Sequence, residues 1–169
     1  MESADRASIV ARYSLEKHVE GGWFSDFYTA PTLLGSSERS AAGSIYFLLD
    51  GAELSKFHRI DCDEIWYFHQ GVGMNIYFVE KDNTVSVRQL GIGPGQQPAI
   101  VIPKGIIFGA DNIDSTGYTF ISCATVPHFT YHGFELITKT QCPPLPSTYD
   151  KFFSSEDKLH EVSALRGKE

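Results

Sequence analysis

Short apolar runs separated by turn residues fill the middle of this chain. Between residues 40 and 138, β-branched and aromatic side chains gather in segments at 40–49, 54–60, 63–69, 73–80, 84–90, 97–102, 106–111, 117–126 and 133–138. Turn signals fall between them at Asp50-Gly51, Lys81-Asp82-Asn83, Gly91 to Gly95, Pro103 to Gly105 and Asp111 to Gly117. Segments this short and this evenly spaced predict an all-β sandwich or barrel rather than an α/β fold. Ahead of them, residues 3–16 predict a helix, with Ser3 as its cap and Ile9, Val10 and Tyr13 near one face. Gly21-Gly22 ends that pattern, and 23–28 is β-rich. Behind them, Gln141-Cys-Pro-Pro-Leu-Pro cannot continue a sheet, because proline lacks the ladder donor. A last helix is expected at 155–165, with frayed residues after it. The predicted organisation is an N-terminal helix (1–16), one β-barrel domain (17–140) and a C-terminal tail (141–169), partly helical or disordered.

Composition narrows the partners. The 169 residues are 42% hydrophobic and 13% aromatic, enough for one well-filled core. A formal net charge of -7 argues against nucleic acid, which needs a basic face. No apolar stretch approaches the roughly 20 residues of a membrane span. Met-Glu-Ser-Ala-Asp-Arg does not read as a secretory signal. Cys62, Cys123 and Cys142 are odd in number and widely spaced, so reduced thiols and a cytoplasmic location are expected.

Candidate chemistry centres on His58 to Gly71: His-Arg-Ile-Asp-Cys-Asp-Glu-Ile-Trp-Tyr-Phe-His-Gln-Gly. An imidazole and a carboxylate six residues apart read as the two limbs of a β-hairpin turning at Asp61-Cys62-Asp63. Alternation puts His58 and Ile60 on one face, and Glu64, Trp66 and Phe68 on the interior face of the next strand. Burial raises the pKa of a carboxyl group and a nearby imidazolium lowers it, so this pair is either an acid–base couple or a structural ion pair. The aromatic set Trp66, Phe68, Phe108 and Phe120 is equally open: plain core, or the wall of a small-molecule pocket.

The spacing His58-x5-Glu64-x6-Gly71, followed by Pro103-x-Gly105, resembles the two motifs of the cupin superfamily. His18-Val-Glu-Gly-Gly-Trp-Phe-Ser-Asp-Phe-Tyr, Ser44-Ile-Tyr-Phe-Leu-Leu, Phe57-His-Arg-Ile-Asp, Val101-Ile-Pro-Lys-Gly and Phe134-Glu-Leu resemble one branch of it. That branch is the small single-domain cupins of unknown function, of which the yeast single-domain cupin is an example. The resemblance implies a double-stranded β-helix, or jelly roll, usually paired as a homodimer. Residues 20–30 are expected to cover an exposed sheet edge across the two copies. It implies no reaction, since cupins host many activities.

Metal-binding cupins place His-x-His and Glu in the first motif and a further His in the second. Here His58 and Glu64 match, but the other two positions are Ile60 and Phe108, neither of which donates an electron pair. No metal and no cofactor is therefore expected; if one were held, His58 and Glu64 would hold it, with His18, His69, Cys123, His128 or His132 as possible additions. By strand parity His69 points away from Glu64, and His128 falls at the rim. Glu20-Gly-Gly-Trp-Phe-Ser-Asp-Phe also resembles, more weakly, the Asp-x-Arg-Gly-x-Phe-x-Glu strand of the deoxysugar-nucleotide epimerases, cupins that work without metal through a histidine base and a tyrosine acid. Gly21 or Gly22 stands where those enzymes have Arg, and no basic cluster offers to hold a diphosphate.

The leading expectation is a small-molecule pocket protein, an isomerase or epimerase acting without metal on a sugar-like or carboxylate compound. Its catalytic candidates are His58, Glu64 and Tyr46, with Tyr77 or Tyr118 as other possible acids. Trp23, Trp66, Phe68, Phe108 and Tyr77 are the ligand-binding candidates. Two alternatives stand beside it: a metal-dependent dioxygenase or hydrolase using His58 and Glu64, and a non-catalytic binding or structural dimer.

Overall fold

Strand alternation sorts this chain into two packed antiparallel sheets. The computed structural model describes residues 6–169, so the cap expected at Ser3 lies outside the described residues. The strands are β1 (Glu16–Lys17), β2 (Trp23–Thr29), β3 (Gly43–Asp50), β4 (Leu54–Ile60), β5 (Asp63–Gly71), β6 (Met74–Val79), β7 (Val85–Leu90), β8 (Ala99–Ile102), β9 (Ile107–Asn112), β10 (Tyr118–Val126) and β11 (Phe134–Leu136). One sheet runs β1-β2-β3-β10-β5-β8 and the other β11-β4-β9-β6-β7. This is the expected jelly-roll sandwich. Trp66, Phe47, Leu49, Ile121, Phe78 and Phe108 fill the space between the sheets.

Three other apolar clusters lie outside the sandwich. On the six-stranded sheet, Leu48 and Phe120 point outward and are covered by Ile9 and Leu15. Ile9 belongs to helix α1 (Arg6–Arg12), which stops short of the expected residue 16 because Ser14 takes a left-handed φ of 53°. On the five-stranded sheet, Phe57 points outward under Phe152, ring centroids 5.1 Å apart. Phe152 ends a 3₁₀ helix at Ser147–Phe152 that the proline-rich sequence did not reveal. Helix α2 (Glu156–Arg166) follows and buries Val162 against Ile60, Phe134 and Leu136. The end of the chain, where fraying is expected, bonds to the 131–134 segment. The Glu169 carboxylate accepts the backbone N–H groups of Tyr131 and His132 at 2.6 and 3.2 Å, and Arg166 donates to the carbonyls of Tyr131 and Phe134.

Two features position the site. First, β4 and β5 are not limbs of one hairpin. They belong to opposite sheets, and Asp61-Cys62 carries the chain across the sandwich between them. A two-residue link that changes sheet turns neighbours in sequence into residues that face each other. Second, the turn between β1 and β2 needs its glycines. Gly21 and Gly22 have φ of 111° and 76°, and a Cβ on Gly21 would sit 2.0 Å from the Leu54 carbonyl oxygen. The close approach lets Lys56 N–H bond the Glu20 carbonyl at 2.9 Å, which docks the His18–Glu20 turn onto β4.

On its outer side β2 is paired only at Trp23 and Phe24, leaving Phe27 and Tyr28 about half exposed. Among the described residues no helix is long and apolar enough to cross a membrane. Phe152→Ala should cost about 3–5 kcal/mol of stability, the usual penalty for an emptied phenylalanine site, read from urea unfolding. A loss under about 0.5 kcal/mol, the range of surface substitutions, would show that the tail is not part of the folding unit.

Candidate acid–base site

The cavity between the sheets opens at the β2–β3 end and has a volume of about 370 Å³. Its floor joins residues from three elements. His58 comes from β4, Glu64 and Trp66 from β5, and His18 and Glu20 from the turn that Gly21-Gly22 makes possible. Ile60 lines the same cavity, as strand parity requires.

Glu20 is the hub. Its Oε1 accepts the Ser55 hydroxyl at 2.9 Å, and its Oε2 lies 3.2 Å from His58 Nε2 and 3.6 Å from His18 Nδ1. Ser55 and His58 are three residues apart, so a regular strand would point them to opposite faces. A register shift in the β4–β9 pairing between these two residues brings both to one carboxylate.

The tautomers follow from fixed partners. His58 Nδ1 lies 2.6 Å from the Lys56 carbonyl oxygen, which can only accept, so Nδ1 carries the proton. A neutral His58 therefore turns a bare Nε2 toward Glu20, and the bond between them needs a proton on the carboxyl. Burial drives both groups that way. It lowers the pKa of His58, against the opposing pull of the Lys56 carbonyl and of Glu64. It raises that of Glu20, against His18 and Ser55. Burial thus favours the neutral form on both sides, a carboxylic acid bonded to an imidazole. His18 Nδ1 accepts the Glu20 backbone N–H at 3.3 Å, and burial lowers the pKa of this imidazole too.

Glu64 faces this pair from the opposite sheet. Burial is the main cause that pushes its pKa up to about 7, with His58 opposing and Glu20 adding. The Cys123 thiol leans on the same carboxylate, and burial foremost holds that thiol well above its ordinary range. The Trp66 indole N–H lies near enough to Glu64 to ease its charge, yet among the described residues it forms no well-aligned hydrogen bond. Phe108 backs His58, ring centroids 4.1 Å apart, and stands edge-on to Trp66 at 5.9 Å.

Other sequence candidates lie elsewhere. Tyr46 faces outward from β3, packed against Phe27 and Tyr13 at 4.3 and 4.7 Å. Tyr77 lies on the outer face of the other sheet, donating to Asp111 at 3.1 Å beside Phe152. Tyr118 is outward too, accepting from Gln70. Trp23 packs with Leu48 outside the sandwich, under the Lys17 ammonium at 4.0 Å. Phe68 packs against the interior cluster but does not reach the cavity wall. The outward placement has one physical reason: α1 and the 147–152 segment cover parts of the outer faces, so an aromatic is at home there as well as inside. Of the supplementary histidines, His18 reaches the floor and His128 the wall. His69 points outward to Ser122, and His132 is exposed beside Glu169. Glu20 was missed as a site residue. Its one sequence signal is its place two residues after His18 and just before Gly21-Gly22.

A resident metal of the kind metal-binding cupins hold does not fit. Ile60 and Phe108 offer no lone pair, and the free nitrogen of His58 is taken by Glu20. Among the described residues no three His, Cys, Asp or Glu side chains are arranged to hold a metal ion.

Residues 7–137 match the family model described as Cupin superfamily (DUF985). The structure is similar to that of protein SO0799 from Shewanella oneidensis, with 32% identity, a TM-score of 0.84, and coverage of 91% of this chain and 100% of that one. It is also similar to a hypothetical protein from Leishmania major, with 28% identity, a TM-score of 0.74, and coverage of 81% and 89%. Oxalate decarboxylase from Bacillus subtilis shares the fold, with 16% identity, a TM-score of 0.55, and coverage of 90% and 37%. Comparison with curated proteins gives no match.

A carboxyl group whose pKa rises from 4.5 to about 7 on folding binds more protons folded than unfolded in that window. Its favourable contribution is complete below about pH 4.5 and gone above about pH 7. Relative to Glu64→Gln, wild type should therefore lose on the order of 3 kcal/mol between those limits, measured by urea unfolding across pH. A stability difference that stays flat with pH would refute the raised pKa of Glu64.

Proposed function

The chain belongs to the Cupin superfamily (DUF985), and we propose that it is a metal-independent isomerase or epimerase acting on a small sugar-like compound. One observation carries this reading: Glu64, on the six-stranded sheet, and a Glu20–His58 pair docked on β4 of the other sheet line one cavity. Moving a proton next to a carbonyl needs a base on one side of the carbon and an acid on the other. Glu64, with its pKa near neutrality, suits the base. The Glu20–His58 pair, which holds one proton between two neutral groups, suits the acid. In the forward step Glu64 takes the carbon-bound proton, the C–H electron pair moves into the enediol, and Glu20 gives its proton to the carbonyl oxygen. Glu64 then returns its proton to carbon while Glu20 takes one back from an enediol hydroxyl, and His58 Nε2, which carries no proton, accepts from Glu20 and positions it. Trp66 and Phe108 keep the site dry, which preserves the shifted pKa values. The carboxylate half of the earlier expectation is dropped, because no Lys or Arg lines the cavity to pair a substrate carboxylate.

The test is deuterium uptake. A panel of reducing monosaccharides in D₂O, followed by proton NMR, should show loss of the C2–H signal for at least one member. His58→Ala and Glu64→Gln should slow that loss by about 10²–10⁴-fold, the usual worth of a positioned acid or base. Prolonged chelation should leave the wild-type rate unchanged. No uptake with any member, or equal uptake in His58→Ala, would sink the proposal. The working unit in this reading is a homodimer joined along the uncovered edge of β2, so light scattering should give twice the chain mass; a monomer at micromolar concentration counts against it.

A further inference from the structure

We propose that the mouth of this cavity selects a small hydroxylated amine, holding its ammonium among Glu16, Asp26 and Glu169 while a ligand oxygen meets the Trp66 indole N–H. The inference rests on the acid–base reading of the floor and names the class of compound that reaches it.

Charge is the first argument. Among the described residues, five carboxyl groups line the cavity and no Lys or Arg does. Glu20 and Glu64 belong to the floor. The other three come from separate parts of the chain: Glu16 from β1, Asp26 from β2 and Glu169 from the segment after α2. Glu16 and Asp26 are exposed and form no ion pair among the described residues. Glu169 is fixed in place by the Tyr131 and His132 N–H groups, with His132 Nδ1 at 2.8 Å. Their fields converge on the Tyr131 hydroxyl, whose pKa is pushed up to about 12 by burial first and then by Glu20, Asp26, Glu169 and Glu16. A site with this potential draws cations in and turns anions away.

Shape and an orphaned donor supply the second argument. Trp66 is 1% exposed, and its buried Nε1–H has no hydrogen-bond partner among the described residues. A buried donor left unpaired costs free energy that a ligand oxygen recovers. Phe24 and Tyr131 wall the route between mouth and floor, and aromatic faces beside carboxylates suit an ammonium group. A cavity of about 370 Å³ lies at the small end of ligand pockets and admits a compound of monosaccharide size.

The test uses three probes of one size and different charge: glucosamine, glucose and gluconate. They are titrated calorimetrically into the full-length protein at low salt, below the pKa of the amine. Glucosamine should bind about tenfold tighter than glucose, with gluconate weakest. Raised salt should narrow the gap, since the mouth carboxylates are exposed. Glu16→Gln with Asp26→Asn should bring glucosamine down to the affinity of glucose. Trp66→Phe should weaken both sugars by about tenfold, the worth of one recovered hydrogen bond. The proposal is overturned if gluconate binds as well as glucosamine, if glucosamine gives no heat up to its solubility limit, or if the double variant keeps its preference. Titration reads binding without turnover, so the two readings fail separately. Amine selectivity without deuterium uptake refutes only the acid–base reading. Uptake into glucose but not glucosamine refutes only this one.

Discussion

Everything at this site depends on burying Glu20 without a cation to pair it. An isolated carboxylate in an apolar interior is unaffordable, so such groups either find a counter-charge or take up a proton. No Lys or Arg lines the cavity, and the nearest nitrogens belong to two buried histidines. The Lys56 carbonyl fixes which nitrogen of His58 carries the proton, and that choice leaves a lone pair facing Glu20. The cheapest arrangement is neutral on both sides. Backbone geometry thus sets the protonation state of a side-chain pair, through one short bond on the far side of the ring.

The fold is arranged around that requirement. Gly21-Gly22 can adopt positive φ and accept the Leu54 carbonyl at a distance no Cβ tolerates, which brings Glu20 over β4. The irregularity in β4 turns Ser55 and His58 to the same side, so the carboxyl group has a partner on each oxygen. The crossing at Asp61-Cys62 then sends β5 to the other sheet, so Glu64 approaches His58 from the facing sheet. Had β4 and β5 formed a hairpin, His58 and Glu64 would be cross-strand neighbours and a simple ion pair. The sheet change puts these sequence neighbours on two different sheets that line one cavity.

Much of the fold was legible because period-two alternation and turn chemistry are local. β4 spans the same residues as its sequence segment, and most other strands differ by one or two positions. The inward register of Glu64 and Trp66 followed from the same alternation. What alternation cannot supply is which sheet a strand joins, since that is decided by long-range packing; the hairpin reading of His58 and Glu64 failed there. It also cannot tell the two faces of a doubly covered sheet apart. Tyr46 and Tyr77 are aromatic, strand-borne and half-buried, yet α1 covers one and the 147–152 segment the other. Glu20 was illegible for a different reason. It sits in a turn, where no periodicity assigns a direction, and its burial is created by a glycine pair that reads only as a break.

Ile60 and Phe108 are more than missing ligands. Were histidines in their place, extra lone pairs would compete for any ion, and extra polar surface would ease the desolvation of Glu20 and Glu64. Phe108 instead lies against His58 and Trp66, and Ile60 closes the cavity beside them. These apolar groups remove water and polar partners from the space around the two carboxyl groups. Burial, the largest cause behind both raised carboxyl pKa values, is therefore partly of their making. The same two positions that offer no metal-ligating atom deepen the burial of the groups beside them. A metal would hold Glu64 ionised as a ligand; an apolar wall leaves it free to gain and lose a proton near neutrality.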